Sequence, residues 1–231
     1  LFDSRAKAQA AIAAGGVVAG GVVVKKPSDT LPEDIEIVAE AAHPYVSRGG
    51  LKLAGALDHF GVSVEGRTCL DVGSSTGGFS QVLLMRGVAR ITAVDTGRDQ
   101  FHPILRREAR IHLAEGTDIR SLTPSDLGPP PDLAVIDVSF IPLGLVLPAV
   151  ARLLQPAATI IALVKPQFEV GRSHVGKGGI VRDETVRQQA VARIAATLSG
   201  LGFVPAPAIA SPVAGGDGNI EYLIAAHRSQ P

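Results

Sequence analysis

Lys52, Asp137, Lys165 and Glu221 are scattered along the chain, yet each stands where an open parallel α/β sheet would bring it to one edge. Ligands of such sheets bind outside the carboxyl ends of the strands. Asp137 closes the apolar run LAVID and Lys165 closes TIIALVK, so both are expected at that edge. Lys52 falls on a short helix before the sheet and Glu221 near the start of the last strand. Two amines and two carboxylates in one cleft neutralise each other and can orient and activate a hydroxyl. The plain alternative is an ion pair at a sheet edge. Buried pairs of that kind seldom stabilise a fold, which makes two of them together hard to explain by stability alone.

A second group surrounds the first strand-to-helix turn, DVGSSTGGF, with Asp71, Gly73, Ser75, Thr76, Gly77, Gly78 and Phe79. Glycines there let the backbone approach a ligand whose polar end meets a helix N-terminus. A dinucleotide fingerprint would need glycine at 73, 75 and 78, and the Ser75 side chain would crowd a pyrophosphate. A cofactor without phosphates is the better expectation. Asp95, followed by Thr96, closes the second strand roughly 20 residues further on, where a carboxylate takes ribose hydroxyls. S-adenosylmethionine has a ribose and no pyrophosphate. Asp118 in EGTDIR is then placed for an adenine edge, Asp71 for the methionine amino group through water, and Asp137 for the same cleft. Helix capping or turn formation is the bland alternative for these aspartates.

The elements that must position these groups alternate regularly from Ser47 onward. Strands are expected near 68–72, 90–95, 110–114, 132–137, 158–164, 203–210 and 220–227, with helices near 78–87, 99–108, 142–154 and 184–200. This predicts an α/β, Rossmann-like class I methyltransferase domain over 47–231 with a seven-stranded, mostly parallel sheet. Its last two strands, ending in EYLIAAHR, form an antiparallel hairpin that dinucleotide-binding sheets lack. Residues 1–40 read as a small α+β module: a helix capped by Ser4 or Asp3 and ended by Gly15-Gly16, strands at 17–18 and 22–24 turned by Gly20-Gly21, and a third at 35–38. A linker over 41–46 contains Pro44.

Composition narrows the classes. In 231 residues, 46% hydrophobic, Lys+Arg and Asp+Glu are each 22, so any basic surface must be local. The single Cys69, expected in a buried strand, allows no disulfide framework and fits a reducing cytoplasm. The most apolar stretch, 141–164, is broken by Pro142, Pro148, Arg152, Gln155 and Pro156, so no membrane span is expected. The start, LFDSRAKAQ, has neither an initiator Met nor a secretory apolar region, and the expectation is that some N-terminal sequence has been lost. The six His lack ligand spacing, and loss of positive charge from a sulfonium requires no metal to stabilise the leaving group.

The runs VSRGGLKL, LDVGSSTGGF, VDTGRDQ, DVSFIPL, LVKPQFEVGR, GKGGIVRD and GNIEYL, in this order, closely resemble the TlyA-type proteins, named as haemolysins but acting as ribosomal RNA 2′-O-methyltransferases. These are similar to the FtsJ-like RNA ribose methyltransferases, whose Lys-Asp-Lys-Glu tetrad falls on Lys52, Asp137, Lys165 and Glu221. The resemblance implies S-adenosylmethionine as cofactor and cytidine 2′-O-methylation of small-subunit or large-subunit ribosomal RNA, or both. Lys165 is then the residue to contact the hydroxyl; a neighbouring lysine favours a neutral amine and the carboxylates a charged one.

Residues 1–40 resemble the later part of an S4-type RNA-binding module lacking its first helix. Residues 1–50 carry five basic and six acidic residues, so RNA contact would depend on Arg5, Lys7, Lys25 and Lys26 clustering. Arg48, Arg172, Lys177 and Arg182 are further candidates for phosphate contacts, a flexible surface loop being the alternative for the last three. Phe79 and Phe140 are expected beside the cofactor, with core packing equally open for Phe140. His43 and Tyr45 sit in the linker, where a surface role is the default. Two other classes remain: a non-catalytic RNA-binding or ribosome-assembly protein, and a membrane-lytic protein, for which no amphipathic or spanning segment is found.

Overall fold

Runs of Val, Ile, Leu and Ala bounded by Gly, Pro and Asp become strands, and segments whose apolar residues recur every three or four positions, such as Val186, Ala190, Ile194 and Leu198, become helices. A computed structural model describes residues 1–2, 4–215 and 218–229. In order, the elements are α1 (Arg5–Ala13), β1 (Val17–Ala19), β2 (Val22–Val23), β3 (Ile37–Ala39), α2 (Gly49–Phe60), β4 (Thr68–Val72), α3 (Gly78–Met85), β5 (Arg90–Asp95) and β6 (Ile111–Glu115). There follow α4 (Pro124–Leu127), β7 (Leu133–Ile136), α5 (Leu143–Leu153), β8 (Ala158–Val164), α6 (Pro166–Glu169), α7 (Glu184–Gly200), β9 (Val204–Pro205), β10 (Ile209–Ala210) and β11 (Tyr222–Arg228).

The large sheet runs β10-β11-β8-β7-β4-β5-β6, with β9 also paired to β11. Strands β4 to β8 pair in parallel, and β11 is antiparallel to β8. The strand order reverses between β4 and β7, the place where an open α/β sheet leaves a crevice. Successive residues of each strand feed opposite faces. Ile160, Ala162 and Val164 of β8 join a core with α5, α7 and Phe203, while Ile161 and Leu163 join one with Leu53 and Leu57 of α2 and Val82 and Leu83 of α3. Both faces are covered, which is why these strands read as unbroken apolar runs.

Several expected elements change. The strand expected at 203–210 is two short pieces, β9 and β10, because Pro205 and Pro207 lack the N–H that a continuous ladder needs. No α-helix forms over 99–108, only a 3₁₀ turn at Leu105–Arg107. Asp99 has φ +60°, and the N–H groups of Gln100 and Phe101 donate to Glu115 Oε1 at 3.1 and 3.2 Å instead of to helical carbonyls. The third strand of the module lies at Ile37–Ala39, two residues later at its start than expected, in register with β1 through Val18↔Val38. Helix α4, unforeseen, begins at a capping box between Thr123 and Asp126 with Pro124 in its first turn, a signal written in TPSD.

In the N-terminal module α1 packs on the sheet β2-β1-β3 around Ala11, Val17, Ala19 and Val24. Ser4 is the helix cap, accepting the Lys7 N–H at 3.3 Å; Asp3 lies outside the described residues. The segment over 41–46 is fastened to α3. Val46 N–H donates to Gln81 Oε1 at 2.6 Å, and Gln81 Nε2 donates to the Pro44 carbonyl at 3.2 Å. Tyr45 packs against α2, where a Cβ on Gly50 would stand 2.4 Å from its Cγ. Gly50→Ala is therefore expected to push Tyr45 off the helix and to lower stability by about 1–3 kcal/mol, the usual scale of overpacking. Thermal melts of the two proteins check this; an unchanged Tm would mean that the linker does not dock on α2.

Candidate active site

The sheet register assembles the charged tetrad. Asp137 directly follows β7 and Lys165 directly follows β8, while Glu221 precedes β11. The antiparallel ladder ends at Tyr222↔Val164, so Glu221 and Lys165 face each other one step beyond it. Lys52, on α2, places Nζ 2.5 Å from Glu221 Oε2. Lys165 Nζ lies 2.6 Å from Asp137 Oδ1 and donates to Ser139 Oγ at 2.8 Å. Lys52, Lys165 and Glu221 are 8%, 8% and 3% exposed, and Asp137 is half-buried. Gly215 leaves room for this cluster, since a Cβ there would stand 2.5 Å from Glu221 Oε1.

Two cavities open at the same edge. The larger, about 630 Å³, is lined by Gly73, Ser75, Asp95, Thr96, Asp118, Asp137, Ser139 and Phe140, among others. The smaller, about 230 Å³, is lined by Ser47, Arg48, Lys52, Ser74, Thr76, Gly78 and Phe79 and shares Gly73, Ser75 and Asp137 with the first. Lys165 and Glu221 line neither; they reach the cleft through Asp137, Ser139 and Lys52.

The glycine-rich turn is shaped by close approaches. Gly73 has φ +80°, and a Cβ there would stand 2.3 Å from the Asp137 carbonyl oxygen, so this glycine lets the ends of β4 and β7 meet. Ser75 adopts φ +45°, rare for a residue with a side chain, and its N–H donates to Asp95 Oδ2 at 2.7 Å. Asp95 Oδ1 accepts the Gly97 N–H at 2.7 Å. Two backbone amides are thus spent on fixing this carboxylate. Gly77, expected at the cofactor, lines neither cavity; its φ of +92° and the nearby Leu105 and Phe101 side chains account for it.

Three other expected site residues sit differently from the simple reading. Asp71 is fully buried and lines neither cavity; Ser80 Oγ donates to its Oδ2 at 2.6 Å, and its Oδ1 has no hydrogen-bond partner among the described residues. Burial raises its pKa from 3.8 to about 7, against the Ser80 hydrogen bond, with Asp137 and Asp95 adding to the rise. Asp118 lines the larger cavity, but Arg120 holds its carboxylate at 2.5 Å and keeps it below the ordinary carboxyl range. Phe140 is not in the core: it is 91% exposed at the cavity lip with φ +65°, its ring centroid 5.1 Å from that of Phe168.

The cationic candidates are spread out. Arg48 lines the smaller cavity at the start of α2. Arg172, Lys177 and Arg182 are exposed on the loop between α6 and α7 and line neither cavity. That loop is tethered by buried Asn219, whose Oδ1 accepts the Val181 N–H at 3.0 Å and whose Nδ2 donates to the Gly179 carbonyl at 2.9 Å. Arg5 and Lys7 lie on α1, and Lys25 and Lys26 follow β2. Ser139, Ser74 and Ser80 escaped sequence reasoning. The only signal for Ser139 was its place two residues after Asp137 in DVSFIPL. Among the described residues no cluster of three or more His, Cys, Asp or Glu could hold a metal ion, and no helix is long and apolar enough to cross a membrane.

Comparison with known proteins agrees with this geometry. The family model described as FtsJ-like methyltransferase matches residues 45–228. The chain is 43% identical over 226 residues to the 16S/23S rRNA (cytidine-2′-O)-methyltransferase TlyA of Mycobacterium tuberculosis, covering 97% of this chain and 84% of the relative. It is 36% identical over 209 residues to the 23S rRNA (cytidine-2′-O)-methyltransferase TlyA of Campylobacter jejuni, covering 87% and 79%. A solved structure named as a hemolysin from Streptococcus thermophilus superposes with a TM-score of 0.82 at 39% identity, over 100% of this chain and 85% of that one.

The buried Asp71 carboxyl generates a pH prediction. Its folded-state pKa, about 7, lies above the ordinary 3.8, so between these values the folded chain keeps a proton that the unfolded chain has lost. The stability contribution is full below 3.8 and is lost as pH rises through about 7. Asp71→Asn, which cannot ionise, should gain in Tm over the wild type as pH is raised through that window. A Tm difference that stays constant with pH would show that Asp71 does not titrate there.

Proposed function

The chain belongs to the FtsJ-like methyltransferase family, and on that premise we propose that it methylates the 2′-hydroxyl of a cytidine ribose in ribosomal RNA of the small subunit, the large subunit or both, with S-adenosylmethionine as methyl donor. The observation that carries this reading is the meeting of two lysine–carboxylate pairs beside a cavity whose rim carboxylate, Asp95, is already held by two backbone amides. S-adenosylmethionine supplies, when bound, an electrophilic methyl group on a sulfonium.

The residues suit that cofactor. Asp95 keeps lone pairs for ribose hydroxyls, and its fixed orientation means little freedom is lost on binding. Gly73 brings the backbone close to the ligand. Thr96 lies at the ribose, and Asp118 with its neighbouring backbone borders the adenine. The smaller cavity, with the N-termini of α2 and α3, Ser74, Ser75, Thr76, Gly78 and Phe79, takes the methionine end. Asp71 acts from beneath, its buried carboxyl favouring a cation above it rather than touching the cofactor.

On the substrate side, Lys165 accepts the hydroxyl proton or holds the oxygen in line with the methyl group, as general-base and orientation catalysis require. Asp137 fixes the Lys165 amine from inside the cleft. The Lys52–Glu221 pair closes the far side, so that neither charge is left unpaired where the ribose docks. Exposed Phe140, with Phe168 behind it, offers an aromatic face on which a nucleobase taken out of its stack can rest. Arg48, Arg172, Lys177 and Arg182 grip RNA phosphates near the site. The module over 1–40, joined by a linker over 41–46 to the catalytic domain over 47–231, adds affinity through Arg5, Lys7, Lys25 and Lys26. Such an enzyme works on ribosomal subunits in the cytoplasm.

Two experiments test this reading. Lys165→Ala should slow single-turnover methyl transfer by about 100-fold or more, the scale of a lost proton acceptor, while cofactor affinity by calorimetry changes little. Asp95→Ala should do the reverse and weaken the cofactor about tenfold or more, as expected for a charged hydrogen-bonding group. Near wild-type transfer by the lysine variant would remove it from the chemistry.

Replacing Arg5, Lys7, Lys25 and Lys26 together by Gln should weaken ribosomal RNA binding and flatten its dependence on salt, because fewer counterions are released. Cofactor binding should be unaffected. An unchanged salt slope would move the RNA grip to the catalytic domain.

A further inference from the structure

Between Lys165 and Glu221 the chain leaves the sheet edge through α6, forms a loop and returns along α7. The stretch 170–182, VGRSHVGKGGIVR, carries Arg172, Lys177 and Arg182 and no carboxylate, in a chain whose Lys+Arg and Asp+Glu are equal in number. A segment of one sign favours a polyanion. Residues 171–174 and 176–179 are exposed, and bonds such as Gly176 N–H to the Ile180 carbonyl at 3.0 Å stay within the loop. Such bonds shape the loop without tying it to the sheet.

The tie is made by Asn219, two residues before Glu221 and 2% exposed. Its Oδ1 accepts the Val181 N–H at 3.0 Å, and its Nδ2 donates to the Gly179 carbonyl at 2.9 Å. The side-chain amide thus pairs with two alternate loop residues as a neighbouring strand would. An amide offers donor and acceptor side by side, where a carboxylate has acceptors alone. Arg187 completes the seat, its Nη1 donating to the carbonyls of Val181 and Arg182 at 2.9 and 2.8 Å. Val181 is therefore held on both sides, by Asn219 at its N–H and by Arg187 at its carbonyl. Tyr222 Oη donates to Glu184 Oε1 at 3.4 Å, so bonds to the 179–187 segment flank Glu221. At the other end of the loop, Arg193 Nη1 donates to the Glu169 carbonyl at 2.7 Å, and Glu169 Oε1 accepts the Leu143 N–H at 2.8 Å.

We propose that Asn219 is a positioning residue for RNA: it seats the cationic loop against the start of the strand that follows Glu221, so that the loop grips a backbone phosphate of the substrate at a fixed place relative to the tetrad. This rests on Arg172, Lys177 and Arg182 being phosphate contacts. Phosphate contacts set the register of a nucleic acid on its protein, and they can do so only if the cations themselves are fixed. A wandering loop would lose its freedom when RNA binds; a seated loop has lost it on folding. Glu221 lies beside the seat and meets Lys52 at 2.5 Å, which puts the gripped phosphate and the reacting ribose in one frame.

The test is a mutant cycle on the full chain with ribosomal subunits lacking the modification. Arg172, Lys177 and Arg182 are replaced together by Gln in the wild type, in Asn219→Ala and in Asn219→Asp, which keeps the size of the side chain and loses its donor. RNA affinity at several salt concentrations, S-adenosylmethionine affinity and Tm are measured for each. In the wild type the triple replacement should weaken RNA binding about tenfold or more and flatten its salt dependence. In either Asn219 background the same replacement should cost at least about threefold less, the mark of coupled residues, with cofactor affinity within about twofold throughout. If Asn219→Ala does not melt cooperatively, the Asn219→Asp cycle decides. An equal cost in all backgrounds overturns the role of Asn219 and leaves the phosphate grip standing. If the triple replacement changes neither affinity nor salt slope in the wild type, both fall. If the Asn219 variants lose cofactor affinity as much as RNA affinity, the residue only holds the fold, and the proposal is again overturned.

Discussion

Seven residue pairs tie β11 antiparallel to β8, and the end of that ladder at Tyr222 and Val164 decides where Glu221 and Lys165 must stand. In a purely parallel sheet, residues at the carboxyl edge all follow their strands. Here one strand runs the other way, so a residue that precedes its strand reaches the same edge as residues that follow theirs. Lys52 then needs only the α2 side chain to reach Glu221 at 2.5 Å. A one-residue slip in the β11–β8 register would turn Tyr222, Ile224 and Ala226 out of their core and carry Glu221 away from the lysines. The large apolar cost of the first protects the second.

The charges at this edge are arranged so that each lysine has its own carboxylate. Removing one partner of such a buried pair leaves the other uncompensated, which is costly, whereas the intact pair contributes little to stability. Stability therefore comes from the two apolar layers on either face of the sheet, and the pairs are carried by it. Asp71 is the reverse case: Ser80 bonds one oxygen, the other has no hydrogen-bond partner among the described residues, and its raised pKa reflects burial first and then nearby Asp137 and Asp95. A buried carboxyl left short of partners is costly to ionise.

Much of the fold was legible because apolar runs of fixed period leave few alternatives. The strands 68–72, 90–95 and 158–164 and the helix 184–200 fall where the sequence places them, since each is long, bounded by glycine or proline and buried on a regular pattern. The errors lie where a local hydrogen bond outbids the pattern. Glu115 captures the amides of Gln100 and Phe101 and prevents a helix over 99–108, and Pro205 and Pro207 break the expected seventh strand. Neither capture by a residue far along the chain nor an edge pairing is visible to a periodicity argument.

By itself the sequence determined the types of groups, their places at strand ends and the glycines that let backbones meet, because strand periodicity and turn chemistry are local. Only the tertiary structure decided how the groups pair. It matched Lys52 with Glu221 and Lys165 with Asp137, sank Asp71 beneath the cleft instead of on its wall, turned Phe140 out to the lip and set Ser139 against Lys165. Distances of 2.5 to 2.8 Å between residues many positions apart depend on the register of β11 and on the bonding of the segment after β7 to the segment after β8, where Leu143 N–H donates to Glu169 Oε1, and both are made by contacts that no single segment contains.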